Sequence, residues 1–288
     1  MTQVWRCAGL RWGEDGPVLA WEGGRRSALE RGKRVAFAVV AGSVRRCVGA
    51  RGHGCAARAV VPGRSTGGRC EECARLDRAH SVAADTFADD PRPYRVYLAW
   101  FGPGMVKVGI TAAERGSARL LEQGAVCFSW LGCGPLMAAR RAEELLRAAL
   151  RVPDRIPYAD KRAVRAALPP VGERVEELAE LHARAVSLGG WPESLERAPF
   201  LAVDHGGVFG LEGLPRMDAV VSELVAGAGV SGGVLAVAGP DLHLATGRGV
   251  LVLDTRLMTG WELTGAERDE VTVPVREVGE TGVQDGLF

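Results

Sequence analysis

The chain has 288 residues, a hydrophobic fraction of 47% and a formal net charge of +1. These values are typical of a globular protein built from a few small modules, and they exclude a fibrous or low-complexity chain. The chain starts without an apolar leader, and its apolar runs are shorter than a membrane span. The sequence therefore favours a cytoplasmic protein with no membrane partner.

The charges are unevenly distributed along the chain. Residues 1–90 contain 15 basic and 10 acidic side chains, and residues 91–165 contain 13 and 6. Residues 166–288 reverse the balance, with 8 basic and 19 acidic side chains. A basic front and an acidic rear indicate a surface that faces a polyanion, but charges that are close in sequence need not form one patch in space.

Residues 1–46 predict a small antiparallel β element. Short apolar segments alternate with Gly, Asp and Pro residues, which is the pattern of strands joined by turns. Trp5, Trp12 and Trp21 lie on these segments. We expect them to pack in the core of the element rather than to stack on nucleic-acid bases.

Residues 47–80 predict a zinc-ribbon-like cluster. All seven cysteines lie in the first half of the chain, and without a secretion signal this favours thiol or metal chemistry over disulfides. Cys70 and Cys73 form a CxxC knuckle before a short predicted helix, and Cys47 and Cys55 form a second, wider pair. Four thiolates suit one tetrahedral zinc ion with a structural role.

The wide spacing of the first pair leaves the zinc ligands open. His53 lies close to Cys55 in the sequence and is an alternative ligand, and His80 is a more distant one. The alternative to a metal site is a set of small buried cysteines without a ligand. Cys127 and Cys133 have no second metal-like pair, so we expect them to pack as small hydrophobic residues.

Residues 94–168 predict a compact core of strands and helices. A β-rich segment at 95–100, a Gly-Pro-Gly turn and an extended segment at 105–111 form a hairpin. Helical spacing follows at 112–123, and a longer amphipathic helix is predicted at 135–150, with a strand between the two. The predicted order is strand, strand, helix, strand, helix.

Two motifs in this core resemble those of a known nuclease superfamily. Residues 96–98 (VYL) and 107–109 (KVG) resemble the paired motifs that name the GIY-YIG nucleases. The segments VYLAW, KVGIT and RLLEQGA are more similar to DUF2797, an uncharacterised bacterial family that couples a cysteine cluster to a GIY-YIG-like core. The resemblance covers about residues 35–168. It implies an α+β fold with a small mixed sheet.

The resemblance also implies a metal-dependent phosphodiesterase site. Tyr97 matches the first motif tyrosine, which activates the attacking water, and Arg119 matches the arginine that binds phosphate, with Arg115 as the alternative. Glu143 matches the single carboxylate that holds Mg²⁺ or Mn²⁺. Lys107 stands where active nucleases have a second tyrosine. A lysine can bind phosphate as a point charge, but it cannot replace an oriented phenol.

The residues themselves add two physical arguments. A phenol with a pKa of ~10 is a poor base, so Tyr97 needs cations such as Lys107 to lower its pKa. The two side chains are expected on one face of the hairpin. Glu143 lies on the apolar stripe of its helix with Leu146, whereas Glu144 points toward solvent. A carboxylate on such a stripe is costly unless it binds metal or pairs with an arginine.

Residues 169–279 predict a helix followed by an acidic β-rich module. The helix spans 171–188, and His182 is expected at its surface. The Gly-Pro-Asp sequence at 239–241 predicts a hairpin turn, and we expect the acidic strands to pack against the N-terminal strands. Gly109, Gly124 and the Gly-Cys-Gly sequence at 132–134 are expected to permit tight turns. Disorder is predicted at 280–288.

The sequence thus predicts a metal-dependent phosphodiesterase that acts on DNA or RNA, with structural zinc and catalytic Mg²⁺ or Mn²⁺. Two alternatives remain. The chain can be a non-catalytic, zinc-containing nucleic-acid-binding protein with a degenerate nuclease core, or a scaffold that binds protein partners through its acidic module. Convergence of Tyr97, Arg119 and Glu143 on one open cleft would favour catalysis.

Overall fold

The computed structural model of the protein describes residues 3–13, 15–79, 90, 92–153, 155–266 and 271–279. Over these ranges the protein has an α+β fold with two β-sheets, as the sequence predicts. No helix within them is long and apolar enough to cross a membrane. The predicted disordered end at 280–288 and the alternative ligand His80 lie outside the described residues.

The strands and helices follow one another closely. The strands are β1 (Trp5–Gly13), β2 (Gly16–Trp21), β3 (Arg26–Ala28), β4 (Arg34–Val39), β5 (Pro93–Trp100), β6 (Val106–Ala112), β7 (Cys127–Pro135), β8 (Glu196–Arg197), β9 (Val203–Asp204), β10 (Ala219–Val221), β11 (Gly229–Ala238), β12 (Asp241–Thr246), β13 (Gly249–Asp254), β14 (Glu262–Gly265) and β15 (Val275–Glu277). The helices are α1 (Glu71–Ala79), α2 (Ala118–Gln123), α3 (Leu136–Leu150), α4 (Tyr158–Val164), α5 (Val171–Ser187) and α6 (Gly206–Phe209). Short 3₁₀ turns lie at Ala113–Arg115, Arg165–Ala167 and Thr255–Leu257.

The larger sheet combines both ends of the chain. Its strand order is β15-β10-β13-β12-β11-β4-β14-β1-β2-β3, and its pairs are antiparallel except for the parallel pair β10 and β13. Strand β4 lies between β11 and β14, and β1 pairs with β14. The expected packing of the acidic strands on the N-terminal strands is therefore confirmed, as direct strand pairing.

The smaller sheet contains the predicted hairpin of β5 and β6, with β6 at one edge of the sheet. Its order is β6-β5-β7-β8, and β9 also pairs with β7. Side chains alternate along β5 as the period of a strand requires. Leu98 and Trp100 pack in the main core, on the side where α3 and α5 contact the sheet. Tyr97, Ala99 and Phe101 point to the opposite face, where they form a separate small cluster with α2 residues.

The segment predicted as one helix at 112–123 is divided in the structure. A 3₁₀ turn precedes Gly116, which has a left-handed backbone with φ of 49°, and α2 begins only after it. Gly124 then ends α2 with φ of 70°, and its N–H donates to the carbonyl of Leu121 at 3.0 Å. Glycine adopts these φ values without a Cβ clash, so the two glycines set the bounds of α2.

Aromatic contacts connect the two sheets. Trp12 of β1 packs edge-on against Phe209, with 5.2 Å between ring centroids, and Phe209 contacts His205. The ring centroid of His205 in turn lies 5.2 Å from that of Phe128 of β7. Trp12 also donates its indole N–H to the carbonyl of Gly239 at 3.1 Å. Trp12 is buried as expected, whereas Trp5 and Trp21 are only partly buried.

The structure corrects the expectations for His182 and for the glycines of β6 and β7. His182 is buried rather than at the surface, and its Nε2 lies 3.2 Å from the carbonyl oxygen of Trp130. Gly109 lies in mid-strand, as do the glycines of the Gly-Cys-Gly sequence at 132–134, and only Gly124 has the expected turn conformation. The strand glycines instead allow neighbouring atoms to approach the backbone closely.

Candidate functional site

A cavity of about 1390 Å³ opens between the smaller sheet, α2, α3, α4 and the β13 end of the larger sheet. We call it the first cavity. Its lining includes Tyr97, Lys107, Arg119 and Glu143, together with the alternative arginine, Arg115. These residues come from β5, β6, α2, α3 and the 3₁₀ turn before α2. The structure thus places all the predicted catalytic side chains at one opening.

The lining of the first cavity is strongly basic. Its described residues include eight basic side chains and three carboxylates. The basic residues are Lys107, Arg115, Arg119, Arg140, Arg155, Lys161, Arg162 and Arg256, and the acidic ones are Asp77, Glu143 and Asp254. Charges of one sign along a concave surface reinforce one another and attract counter-ions of the opposite sign. The cavity is therefore suited to an anionic ligand.

The position of Tyr97 is tightly fixed. It pairs with Gly109 of β6 in the strand register, and a Cβ at Gly109 would overlap its phenol group. Gln123 of α2 donates from Nε2 to the phenol oxygen at 2.9 Å. The ring of Trp130 on β7 packs edge-on at a centroid distance of 6.2 Å. Tyr97 is only 2% exposed, so its phenol is held in one place at the cavity wall.

The environment of Tyr97 raises its pKa. Burial is the largest cause, because it disfavours the charged phenolate. The hydrogen bond from Gln123 and the positive charge of Arg119 lower the pKa by less, and the negative charge of Glu143 raises it further. Water activation by Tyr97 needs a lowered pKa, and the structure gives the opposite direction. The phenol is neutral at neutral pH and can donate one hydrogen bond.

Lys107 and Arg119 approach the cavity from two sides of Tyr97. Lys107 pairs with Ala99, which lies two residues from Tyr97 along β5. Its side chain therefore lies on the same face as Tyr97, which confirms the predicted orientation. Arg119 is exposed on α2, and its guanidinium lies 3.8 Å from Glu122. Glu122 is bound more closely by Arg115, at 2.7 Å.

Glu143 is the carboxylate of α3 that faces the cavity. Ala142 and Leu146 on either side of it are buried, Glu143 itself is partly buried, and Glu144 is exposed. This is the arrangement that the helical spacing predicts. The charge of Glu143 acts on the pKa of Tyr97, so the two groups are close enough to interact. Arg140 lies one turn earlier on α3 and also lines the cavity.

Lys161 of α4 is a cavity residue that the sequence argument missed. It is only 4% exposed, and its ammonium group donates to the carbonyl of Gln123 at 3.1 Å. The same nitrogen lies 3.8 Å from the ring centroid of Phe101 and 4.5 Å from that of Tyr158. The pKa of Lys161 is lowered to about 7. Burial is the largest cause, and the positive charge of Lys107 is the next.

A signal for Lys161 was present in the sequence. Tyr158, Lys161 and Arg165 follow at i, i+3 and i+7, which places them on one side of a helix. A lysine on the same helix face as an aromatic residue is a candidate for burial.

The floor of the cavity contains a buried network of charges. Arg162 contacts Asp241 at 2.6 Å and Asp254 at 2.8 Å. Arg165 contacts Asp241 at 2.6 Å, and Arg256 contacts Asp254 at 2.6 Å. Asp241 is completely buried. These pairs connect α4 and the turn after it to β12 and β13, so they fix the smaller sheet's module against the larger sheet.

The four cysteines of residues 47–80 meet in space. The sulfur atoms of Cys47, Cys55, Cys70 and Cys73 all lie within 4.8 Å of one another, and those of Cys55 and Cys70 are 4.0 Å apart. A tetrahedral zinc ion with Zn–S bonds of ~2.3 Å needs sulfurs about 3.8 Å apart. The cluster can therefore hold a metal ion such as zinc. His53 is exposed and is not a member of the group.

The other cysteines differ from this cluster. Cys7 and Cys127 are fully buried, and burial raises the pKa of Cys7 to about 11 and that of Cys127 to about 12. Cys133 is partly buried on β7. A buried thiol with a raised pKa is chemically inert. The expectation that Cys127 packs as a small hydrophobic residue is therefore confirmed.

Comparison with known proteins identifies the family but no activity. The family model described as "Protein of unknown function (DUF2797)" matches residues 32–263, and the chain belongs to this family. No curated protein matches the chain. No solved structure matches it either. The geometry of the cavity and the cysteine cluster are therefore the basis for a functional argument.

Proposed function

We propose that this member of the DUF2797 family is a metal-dependent phosphodiesterase that acts on nucleic acid through a GIY-YIG-like site. The main support is that Tyr97, Lys107, Arg119 and Glu143 line one strongly basic cavity. The order of β5, β6, α2, β7 and α3 along the chain agrees with the core that the resemblance to GIY-YIG nucleases implies. Nucleic acid is the polyanion that suits such a cavity.

Arg119 and Lys107 would bind the phosphate that is to be cleaved. A guanidinium binds two phosphate oxygens at once through its planar fork, whereas an ammonium acts as a point charge. Both side chains lie beside Tyr97, one on α2 and the other on β6. They would stabilise the negative charge that increases on the phosphate in the transition state.

Glu143 fits a magnesium or manganese ion. Mg²⁺ is held in such sites by one or two carboxylates together with substrate phosphate oxygens, and Glu143 offers one partly buried carboxylate at the cavity. When bound, the ion would supply Lewis-acid stabilisation of the leaving oxygen. Burial of Ala142 and Leu146 on the same helix would hold the carboxylate in place.

The attacking water would lie at the phenol of Tyr97. It would attack phosphorus, the bond from phosphorus to the leaving oxygen would break, and a water proton would pass to a base. The raised pKa of Tyr97 favours a role in orienting the water over a role in taking its proton. Lys161, with a pKa of about 7, has the pKa that suits proton transfer at neutral pH.

We also propose that the four-cysteine cluster holds one structural zinc ion. Its four sulfurs complete a tetrahedral site, so no ligand position is left for substrate. We expect metal analysis of the purified protein to give about one zinc per chain. Removal of the metal should lower the thermal stability, because the cluster would lose its cross-link. A zinc-free protein with the same thermal stability would contradict this assignment.

The test of the phosphodiesterase is a pair of adjacent substitutions on α3. Glu143→Gln keeps the size of the side chain but removes the charge that a divalent metal requires, so cleavage should become undetectable. Affinity for nucleic acid should stay the same or rise, because a negative charge leaves a basic cavity. Glu144→Gln is the matched control. It is exposed one residue further along and should cleave like the wild type.

The possible outcomes separate two functions. A wild-type protein that binds nucleic acid but cleaves neither DNA nor RNA with Mg²⁺ or Mn²⁺ would be a non-catalytic nucleic-acid-binding protein. Lys107 in place of a tyrosine and the raised pKa of Tyr97 favour this second function. If the wild type and both variants cleave equally well, the catalytic carboxylate is not Glu143.

A further inference from the structure

A second cavity continues the first one toward the four-cysteine cluster. It has a volume of about 400 Å³, and Thr66, Tyr158 and Arg256 line both cavities. Its other walls come from β1, from two loops of the cysteine module at 48–52 and 66–69, and from the turn at 239–240. The two cavities therefore form one extended groove that passes from Tyr97 to the cysteine module.

The chemistry of the second cavity is similar to that of the first. Its described lining includes four arginines and one carboxylate, namely Arg11, Arg51, Arg69, Arg256 and Glu122. Glu122 is already bound by Arg115 at 2.7 Å. Gly52 and Gly67 of the cysteine module also line it, and little or nothing lies near the position of an added Cβ at either residue, so the backbone there is open to close approach. Positive charge and accessible backbone together suit a sugar–phosphate chain.

The cysteine cluster holds one of these arginines in position. Arg51 and Gly52 form the tip of a tight loop between Cys47 and Cys55. Two backbone hydrogen bonds close this loop, from the N–H of Ala50 to His53 at 3.0 Å and from the N–H of His53 to Ala50 at 2.9 Å. Arg51 is exposed at the tip. The loop therefore presents a guanidinium to the groove from a fixed base.

We propose that the four-cysteine module is part of the nucleic-acid-binding surface, with Arg51 as a phosphate contact beyond the cleavage position. The inference rests on the proposed function, because it requires a nucleic-acid strand in the first cavity. It gives the metal cluster a role in substrate binding as well as in folding. A strand long enough to span both cavities should bind more tightly than one that fills only the first.

The module also contains a matched control for Arg51. Arg58 is exposed in the same module and has the same left-handed backbone, with φ of 43° compared with 53° at Arg51. Arg58 lines neither cavity. Arg51→Gln and Arg58→Gln therefore remove the same charge from similar backbone conformations. Equal zinc content and equal thermal stability of the two variants would show that both fold.

The experiment measures the affinity of each variant for short and long oligonucleotides of one sequence, at several salt concentrations and without added divalent metal. We expect Arg51→Gln to weaken binding of the long strand roughly two- to fivefold, the effect of one exposed ion pair. The slope of log affinity against log salt should fall by about 0.7 to 0.9, as the loss of one phosphate contact requires. Arg58→Gln should match the wild type.

Failure of the inference can be told apart from failure of the proposed function. If the wild type binds both oligonucleotides and Arg51→Gln equals Arg58→Gln at every length and salt concentration, the cysteine module is not a binding surface, and the first cavity keeps its proposed role. If the wild type binds no oligonucleotide at low salt, both proposals are wrong.

Discussion

The charged residues of the first cavity belong to two regions with different solvent exposure. On the side of the smaller sheet, Arg119 is exposed and its guanidinium lies 3.8 Å from the carboxylate of Glu122. On the floor, Arg162 is partly buried and contacts Asp241 at 2.6 Å, and Arg165, which is buried and does not line the cavity, contacts the same carboxylate at 2.6 Å. Arginine side chains are thus exposed with a distant partner on one side of the cavity and held in close ion pairs at its floor.

This difference distinguishes arginines that are available to a ligand from arginines that stabilise the fold. A buried arginine is stable only with a well-placed carboxylate, because removing two charges from water is costly. Once that pair is formed, little of its charge remains for a ligand. An exposed arginine with a loose partner exchanges that partner at a small cost in free energy. We therefore assign the floor to holding the two sheets together and the opposite side to the proposed nucleic-acid ligand.

The largest expected effect is on the floor. Asp241→Asn would leave the buried Arg165 without its carboxylate and Arg162 with Asp254 alone, so we expect a loss of about 3–5 kcal/mol in the free energy of unfolding. Denaturant unfolding would measure it. Glu30→Gln is the control, because it breaks an exposed pair with Lys33 and should cost less than about 1 kcal/mol.

An Asp241→Asn protein as stable as the control would mean that the floor does not hold the two sheets together. A folded Asp241→Asn protein that lost affinity for nucleic acid would mean that the floor arginines take part in binding.

A smaller effect is expected on the side of the smaller sheet, at the contact of Gly109 with Tyr97. Gly109→Ala adds a Cβ that overlaps the phenol, so the ring must move and its bond from Gln123 must lengthen. We expect a loss of roughly 1–3 kcal/mol in the free energy of unfolding and a large loss of any cleavage activity. Gly265→Ala, on a strand with open space around the new Cβ, should have little effect.

A second substitution tests whether the phenol is the cause. In a Tyr97→Leu background the phenol oxygen, Cζ and Cε2, which are the atoms that an added Cβ would meet, are absent, so Gly109→Ala should cost less than it does in the wild type. A double-mutant cycle of the four proteins measures this coupling. Equal costs in both backgrounds would show that the clash involves other atoms, and the geometric role of Gly109 would need another explanation.

Local patterns in the sequence predicted much of the fold and part of the site. Alternation along β5 and the register of the hairpin place Tyr97 and Lys107 on one face. Helical spacing separates Glu143 from Glu144, and the paired spacing of cysteines predicts the cluster. Each of these predictions depends on residues that are close in sequence, where backbone geometry alone fixes the relative directions of the side chains.

The second side of the cavity could not be predicted in this way. The contacts of Arg165 with Asp241 and of Arg162 with Asp254 join residues 76 and 92 positions apart. No local period encodes such pairs. The burial of Lys161 also depends on residues distant in sequence, because its ammonium group lies against the ring of Phe101 and the carbonyl of Gln123. The sequence therefore predicts the side of the cavity that contains Tyr97, Lys107 and Glu143, but not its floor.

The smallest expected effect concerns Lys161, which lies between the two regions. Burial lowers its pKa from 10.5 to about 7 in the folded protein. Between these two values the unfolded chain binds a proton that the folded chain does not, so stability rises with pH in this window. Below the window the contribution of Lys161 to stability no longer changes with pH. The nearby charges of Lys107, Arg165, Asp241 and Arg256 are included in this shift.

The variant Lys161→Met tests this assignment, because it fills a similar volume without a titrating group. Denaturant unfolding of both proteins at pH 7, 8 and 9 gives the difference in free energy of unfolding, from which shared titrations cancel. The free energy of unfolding of the wild type should rise relative to that of the variant by about 1 kcal/mol per pH unit, which is near the limit for the titration of one proton. Lys33→Met, at an exposed position, should show no such trend. A constant difference for Lys161→Met would mean that Lys161 stays charged when buried, and its proposed role as a base would be wrong.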